Sequence, residues 1–252
     1  MIKSFNTNGF LHNKSVVDKV EINRFRNSLI KTLKFLLKNK DLKFGNDFDN
    51  KKLNKTIIDL KKRNSEKISF IYSTLVHCSS YINLFETLKI RNIAAKILDA
   101  DPNVLIIAEH QFRIDYPNDK NYILNWHQDY AFYPQDKYGE NSLVCNISLH
   151  KITKDMGAVI AMPKSHNEGP LKFRIKKGSK IKSGQREVIG KIKNYISTSL
   201  ETNPGDTSFY HPHLIHKSGF NKSKKIRFSA IARIFNPLSK DYRHFNKITN
   251  TL

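Results

Sequence analysis

The sequence predicts a mainly β fold with a helical annex on its N-terminal side. Over roughly the first hundred residues, apolar side chains recur at threes and fours, the spacing of amphipathic helices. After Pro102 the period falls to two, and short strands alternate with Gly, Pro, Asn and Asp. That pattern belongs to an all-β sandwich or barrel. The apolar helix faces need a partner, and the sheet is the natural one. A chain of 252 residues suits one large domain with a substantial core.

The first segment, residues 5–38, carries Val17, Val20, Ile22, Phe25, Leu29, Leu33 and Leu36 at helical intervals. A break follows at Gly45-Asn46-Asp47, and Lys52 to Lys62 resumes the spacing through Leu53, Ile57 and Leu60. Ser65, with Glu66 behind it, reads as the N-cap of a long apolar segment reaching Leu84. A helix from about Phe85 to Leu98 closes at Asp99-Ala100-Asp101-Pro102. Beyond it, Val104 to Tyr116 alternates in its second half, with Glu109, Gln111, Arg113 and Asp115 on one side and His110, Phe112 and Ile114 on the other. Further strands are expected at Ser142 to Lys151, Gly157 to Met162, Thr207 to Tyr210 and Ile226 to Phe235. The expected organisation is helical support over 1–101, a β core over 102–236 with an insert near 168–200, and a tail over 237–252.

The formal charge of +22 invites a nucleic-acid reading, but 34 of the 44 basic residues are lysines scattered along the chain. No strand interleaves aromatic and basic residues as a stacking platform does, so nucleic acid is not expected as a partner. The densest basic stretch, Lys172 to Lys182, reads as a solvated loop placed where a lid over an anionic or carrier-linked substrate would also lie. Only Cys78 and Cys145 occur, far apart, which excludes a disulfide framework and predicts a reducing compartment. The first ten residues lack the apolar run of a signal peptide, and no stretch has the length to span a bilayer. A cytoplasmic protein is expected.

Chemistry concentrates at Asn125-Trp126-His127-Gln128-Asp129-Tyr130. In an extended segment His127 and Asp129 project from one face, so an imidazole and a carboxylate can grip one metal ion. A third ligand must come from far along the chain, and His211, His213 and His216 compete for the place. Two histidines and one carboxylate on one face of an octahedral metal leave open positions, the arrangement of non-haem Fe(II) oxygenases.

Several stretches, in order, resemble the phytanoyl-CoA dioxygenase-type family of Fe(II)- and 2-oxoglutarate-dependent oxygenases. Phe5-Asn6-Thr7-Asn8-Gly9-Phe10 is similar to its aromatic-x-x-x-Gly-aromatic start, and Trp126-His127-Gln128-Asp129 to its metal motif. Gly157 to His166 resembles its Gly-x-Leu-x-x-x-Pro-Gly-Ser-His segment, with Lys164 in place of the usual Gly. Pro204-Gly205-Asp206 matches the turn into the last core strands. His216-Lys217-Ser218-Gly219-Phe220-Asn221, with Arg227 eleven positions after the His, resembles the family's ending. One such match is weak; five in order over residues 5–235 are a strong signal.

The resemblance implies a double-stranded β-helix core of the jelly-roll or cupin-like kind, with the N-terminal helices packed on its larger sheet. His127, Asp129 and His216 would hold Fe(II), and Arg227, helped by Ser218, would pair with the distal carboxylate of 2-oxoglutarate. Gln111 and Arg113 lie near where relatives place polar cosubstrate contacts. Three protein ligands leave two positions for the chelating 2-oxo acid and one for O2. A planar guanidinium suits the second carboxylate better than an ammonium does. If Gly219 to Lys225 joins antiparallel strands, His216 and Arg227 face each other at about 5 Å between Cβ atoms. Arg233 shares Arg227's parity and points either into the barrel or to a surface ion pair. The implied activity is hydroxylation of a small or carrier-linked metabolite, with release of succinate and CO2. Epimerisation, desaturation and ring closure belong to the same chemistry. A silent β-barrel binding a sugar or an anion is the rival, and it has no need of all four residues.

Overall fold

Among the described residues all six α-helices lie before Pro102, and every strand except the first lies after it. The computed structural model describes residues 2–132, 141–176, 185–190, 194–240 and 242. Six helices come first: α1 (Ile2–Asn8), α2 (Lys19–Leu36), α3 (Lys51–Arg63), α4 (Ser65–Leu75), α5 (Ser79–Ile82) and α6 (Leu88–Leu98). Side-chain caps start three of them. Asn50 accepts from Leu53 N at 3.0 Å, Asn64 from Lys67 N at 3.0 Å and Thr87 from Ile90 N at 3.3 Å. Asn64 therefore takes the role expected of Ser65, because Asn64 is the extended residue and Ser65 already lies within the helix. The apolar run to Leu84 is likewise broken, between α4 and α5.

The strands are β1 (Phe10–Asn13), β2 (Ile106–Asp115), β3 (Ser142–Ser148), β4 (Val159–Ala161), β5 (Phe173–Lys176), β6 (Gln185–Val188), β7 (Thr198–Leu200), β8 (Thr207–Tyr210), β9 (His216–Lys217) and β10 (Arg227–Phe235). An antiparallel five-stranded sheet has the order β1-β8-β3-β10-β2, and a smaller one the order β7-β4-β9. β1 falls within the segment read as helix-spaced: four residues between Gly9 and α2 are too few to show a period. The hairpin β5–β6 occupies the expected insert, with a strand where a basic loop was expected; residues 177–184 lie outside the described residues. Of the expected tail, only 237–240 and 242 are described.

Period-two alternation gives the larger sheet two different faces. Phe228, Ala230, Ala232 and Ile234 of β10 point outward and join the core with the helices. That core holds Phe25, Leu29, Leu53, Ile57 and Ile71, all fully buried, and Phe25 meets Phe112 edge-on at 5.0 Å. Each such side chain contributes about 1.5–3 kcal/mol by leaving water. Arg227, Ser229, Ile231 and Arg233 alternate with that set and face the smaller sheet. Between the two sheets, among the described residues, a small apolar cluster of Val144, Ala161, Tyr210 and Leu214 sits beside polar and charged side chains.

The connection after His216 departs from the expected hairpin. β9 pairs with β4 in the smaller sheet, whereas β10 pairs with β2 and β3 in the larger one. His216 and Arg227 are therefore not cross-strand neighbours, and residues 218–226 cross from sheet to sheet. Backbones meet closely there: a Cβ on Gly219 would lie 2.3 Å from Ala158 O. Asn221 then ties the crossover down, donating to Asp115 O at 3.0 Å and Lys225 O at 2.8 Å. The Ser-Gly-x-Asn run thus serves a crossover.

Lys164, in the position where the family carries Gly, has φ 70°, in the left-handed region. An L side chain there costs about 1–2 kcal/mol. Lys164→Gly should raise the urea midpoint of unfolding, corresponding to about 0.5–1 kcal/mol after the added chain entropy of glycine; a lowered midpoint would show that the lysine side chain stabilises this turn.

Candidate metal centre

His127 lies on an isolated antiparallel bridge with His216, not in a regular strand, and Asp129 opens a short 3-10 turn, Asp129–Phe132. The strand geometry expected for the pair is thus absent, yet the convergence holds. His127 N donates to His216 O and His216 N to His127 O, both at 3.0 Å. Their rings stand 4.2 Å apart between centroids. His127, Asp129 and His216 are all buried, and one ligand atom from each lies within 4.8 Å of the others.

The tautomers fit a metal. His127 Nδ1 lies 2.7 Å from Asn125 O, and His216 Nδ1 lies 3.0 Å from Leu214 O. Only a protonated Nδ1 can donate to a carbonyl, so in both rings the Nε2 lone pair is the free one. Those Nε2 atoms approach Asp129, at 3.9 Å for His127 and 3.5 Å for His216. Burial, with the neighbouring His216 imidazole, holds the His127 pKa down to about 3 against the opposing pull of Asp129. Burial alone would raise the Asp129 pKa, but Arg233 and the two imidazoles outweigh it and keep the carboxylate ionised. Two imidazoles and a carboxylate, with no thiolate, match a non-haem Fe(II) donor set, and the Nδ1 contacts orient the rings for it.

The other expected residues gather in the same place. Gln111, Arg113, Ser218 and Arg227 line the cavity that also receives the triad. Ser218 Oγ accepts from Leu124 N at 3.3 Å. His211 and His213 instead pack against each other at a tilt, with His166 completing a separate cluster beside Phe5. Arg233 points inward and donates to Asp129 Oδ1 at 3.3 Å, which decides the alternative left open by its parity.

Three residues escaped the sequence reading. Asp115 is the anion between two arginines: Arg113 Nη2 donates to its Oδ1 at 2.6 Å, and Arg227 Nε and Nη2 donate to its Oδ2 at 3.0 and 2.7 Å. Arg227 Nη1 also donates to Gly157 O. Of the five guanidinium protons, the side-on edge is committed to Asp115 and one Nη1 proton to Gly157. One proton on each Nη is left for a further carboxylate. Gln128, inside the metal motif, joins three segments: it donates to Gly169 O and His213 O and accepts from Leu171 N. Ser229, which lines the cavity, was legible from its shared parity with Arg227.

The architecture and the buried triad define a double-stranded β-helix protein with a two-histidine, one-carboxylate site. A profile of the phytanoyl-CoA dioxygenase (PhyH) family matches residues 5–229, and the chain belongs to that family. The peroxisomal phytanoyl-CoA dioxygenase of Bos taurus is 27% identical over 238 residues, covering 89% of this chain. The chain spans 64% of that relative's length. Among solved structures, the apo non-heme monooxygenase ThoJ aligns with TM-score 0.67 and 17% identity, over 94% of this chain and 77% of its own. EvdO2 from Micromonospora carbonacea var. aurantiaca, complexed with 2-oxoglutarate, aligns with TM-score 0.61 and 15% identity, over 93% and 89% of the two chains. At these identities the structural likeness shows the fold.

Burial would raise the Asp115 pKa, but Arg113 and Arg227 hold it well below the usual carboxylate range. Removing the charge leaves two arginines short of their partner, so Asp115→Asn should lower stability by about 3 kcal/mol at neutral pH. A depressed folded pKa stabilises fully above the unfolded value near 3.9 and is lost as pH falls toward the folded one. Chemical denaturation should therefore show a gap between wild type and variant that is constant above about pH 5 and narrows below about pH 4. A gap independent of pH would mean that the carboxylate charge contributes nothing.

Proposed function

We propose that this chain is an Fe(II)- and 2-oxoglutarate-dependent dioxygenase that hydroxylates a small or carrier-linked metabolite. The observation that carries the reading is the convergence of His127, Asp129 and His216, with both Nε2 lone pairs freed toward one carboxylate. These three residues would hold the iron. The remaining Nη protons of Arg227, with Ser218 beside them, would take the distal carboxylate of 2-oxoglutarate; Gln111 and Arg113 lie on the same wall. With iron, 2-oxoglutarate and O2 bound, the site supplies a two-electron oxidation that turns a substrate C–H into C–OH and the cosubstrate into succinate and CO2.

The protein's own contribution is orientation. Arg233 on Asp129 Oδ1 fixes the carboxylate rotamer, and Asp115 fixes the plane of the Arg227 fork. Phe132 beside the His127 ring and Tyr210 stacked on His216 at 5.6 Å wall the imidazoles off from water. We place the protein in the cytoplasm as one catalytic domain. Two unpaired cysteines support a reducing compartment, and no helix among the described residues is long and apolar enough to cross a membrane.

Anaerobic addition of Fe(II) and 2-oxoglutarate to the purified full chain should produce a metal-to-ligand charge-transfer band at one iron per chain. A metabolite screen should then find substrate-dependent succinate release. No band would favour a silent binding barrel. His216→Ala should abolish the band, whereas His211→Ala should keep it; the reverse result would overturn the ligand assignment.

Arg227→Lys keeps a charge but loses both edges of the fork, and a charge-assisted contact contributes about 1.5–3 kcal/mol. The affinity for 2-oxoglutarate should fall by more than about tenfold with iron affinity little changed. Equal losses of the two would make Arg227 a support of the fold alone.

A further inference from the structure

Beside the metal centre, between α4 and the edge strand β2, lies a chamber of about 550 Å³, a volume that suits a drug-sized ligand. Asp129 and Arg233 form part of its wall and also line the cavity holding the triad, so an occupant would lie against the reacting centre. The chamber's chemistry can be read group by group.

Its basic wall residues among those described are Lys61, Arg113 and Arg233, and each is paired with a carboxylate, although Asp115 is shared between Arg113 and Arg227. Lys61 pairs with Asp119 and lies 3.7 Å from the centre of the Tyr116 ring. Arg113 pairs with Asp115 at 2.6 Å, and Arg233 with Asp129 at 3.3 Å. Among the described wall residues, a substrate carboxylate or phosphate would meet no cation without a carboxylate partner, and so no ready counter-charge for the hydration it gives up.

Neutral hydroxyls supply the remaining polarity. Ser65, Ser69 and Ser73 recur every fourth residue on α4 and line the chamber. Ser69 Oγ donates to Ser65 O at 3.2 Å and Ser73 Oγ to Phe70 O at 3.3 Å. The Ser69 and Ser73 protons are thus committed to the helix backbone, while their oxygens remain acceptors for an O–H or N–H donor. Ile68, Ile114 and Leu124 give an apolar surface, and Tyr72, Tyr116 and Tyr122 add aromatic rings. Acceptors interleaved with aromatic and aliphatic faces complement a ring that is apolar on its faces and carries hydroxyls at its edge.

We propose that this chamber takes a neutral, hydroxyl-bearing substrate of the chemical class of glycosides, rather than a free acid or a phosphorylated carrier thioester. This inference rests on the dioxygenase reading for its placement beside the iron. The chamber's preference is measurable without turnover.

Octyl β-glucoside below its micellar concentration, octanoate and octanoyl-CoA share one chain length and differ in head group. Each is titrated calorimetrically into the full chain, once metal-free and once with Fe(II) and 2-oxoglutarate under anaerobic conditions. The glucoside should bind saturably and perturb the charge-transfer band, and both anions should bind at least about tenfold more weakly. The Ser69→Val/Ser73→Val double variant should weaken the glucoside by about tenfold or more, while its charge-transfer band forms at the wild-type 2-oxoglutarate concentration. Tighter binding of octanoate or octanoyl-CoA, or no binding of the glucoside, overturns the proposal. A missing band refutes the dioxygenase reading alone, because the metal-free titrations still decide the chamber's preference.

Discussion

Two backbone hydrogen bonds between His127 and His216, residues 89 positions apart in the chain, hold the centre together. A closely paired antiparallel bridge sets its two side chains side by side on one face. Each imidazole is then turned by a carbonyl two residues before it, Asn125 O for one and Leu214 O for the other. The same device is used twice, so the lone pairs converge without further adjustment. Asp129 needs only the tight turn after His127 to reach them, and Arg233 to keep its carboxylate charged and in place.

The bridge can form only because two sheets face each other. The larger sheet is anchored by its outer face, where β10 gives alternate residues to the helical core. Its inner face is then free to be polar, and it carries Arg227, Ser229 and Arg233 from β10 and Gln111, Arg113 and Asp115 from β2. Burying that many charges is tolerable because they are paired. Asp115 serves two arginines at once, and its position opposite Arg227 in the ladder makes the sharing possible. Stability is thus supplied on one side of the sheet and the site is built on the other.

Much of this was legible in the sequence where chemistry restricts residue type. His127 and Asp129 stood out as an imidazole and a carboxylate two residues apart, whereas His216, Arg227 and Ser218 were picked out by the family resemblance, and the structure gathers all five around one cavity. Partners whose role depends on geometry were harder to see. Asp115 reads as one more member of an alternating strand until Arg227 is known to lie opposite it. Gln128 sits in full view within the metal motif, yet nothing in its spacing shows that it binds Gly169, Leu171 and His213. The crossover after His216 was mistaken for a hairpin because a short Gly- and Asn-containing link between two strands is the usual sign of one. The strand pairings place β9 and β10 in different sheets, and the close approach of Gly219 to Ala158 marks where the chain crosses.

The central claim is that His127, Asp129 and His216 hold one iron, and that no other histidine of the 211–216 stretch does. Anomalous diffraction at the iron edge, from crystals of the full chain grown anaerobically with Fe(II), addresses it directly. The account predicts a single strong peak within coordination distance of His127 Nε2, His216 Nε2 and one carboxylate oxygen of Asp129. A peak beside His166, His211 and His213, or none at the triad, would contradict it.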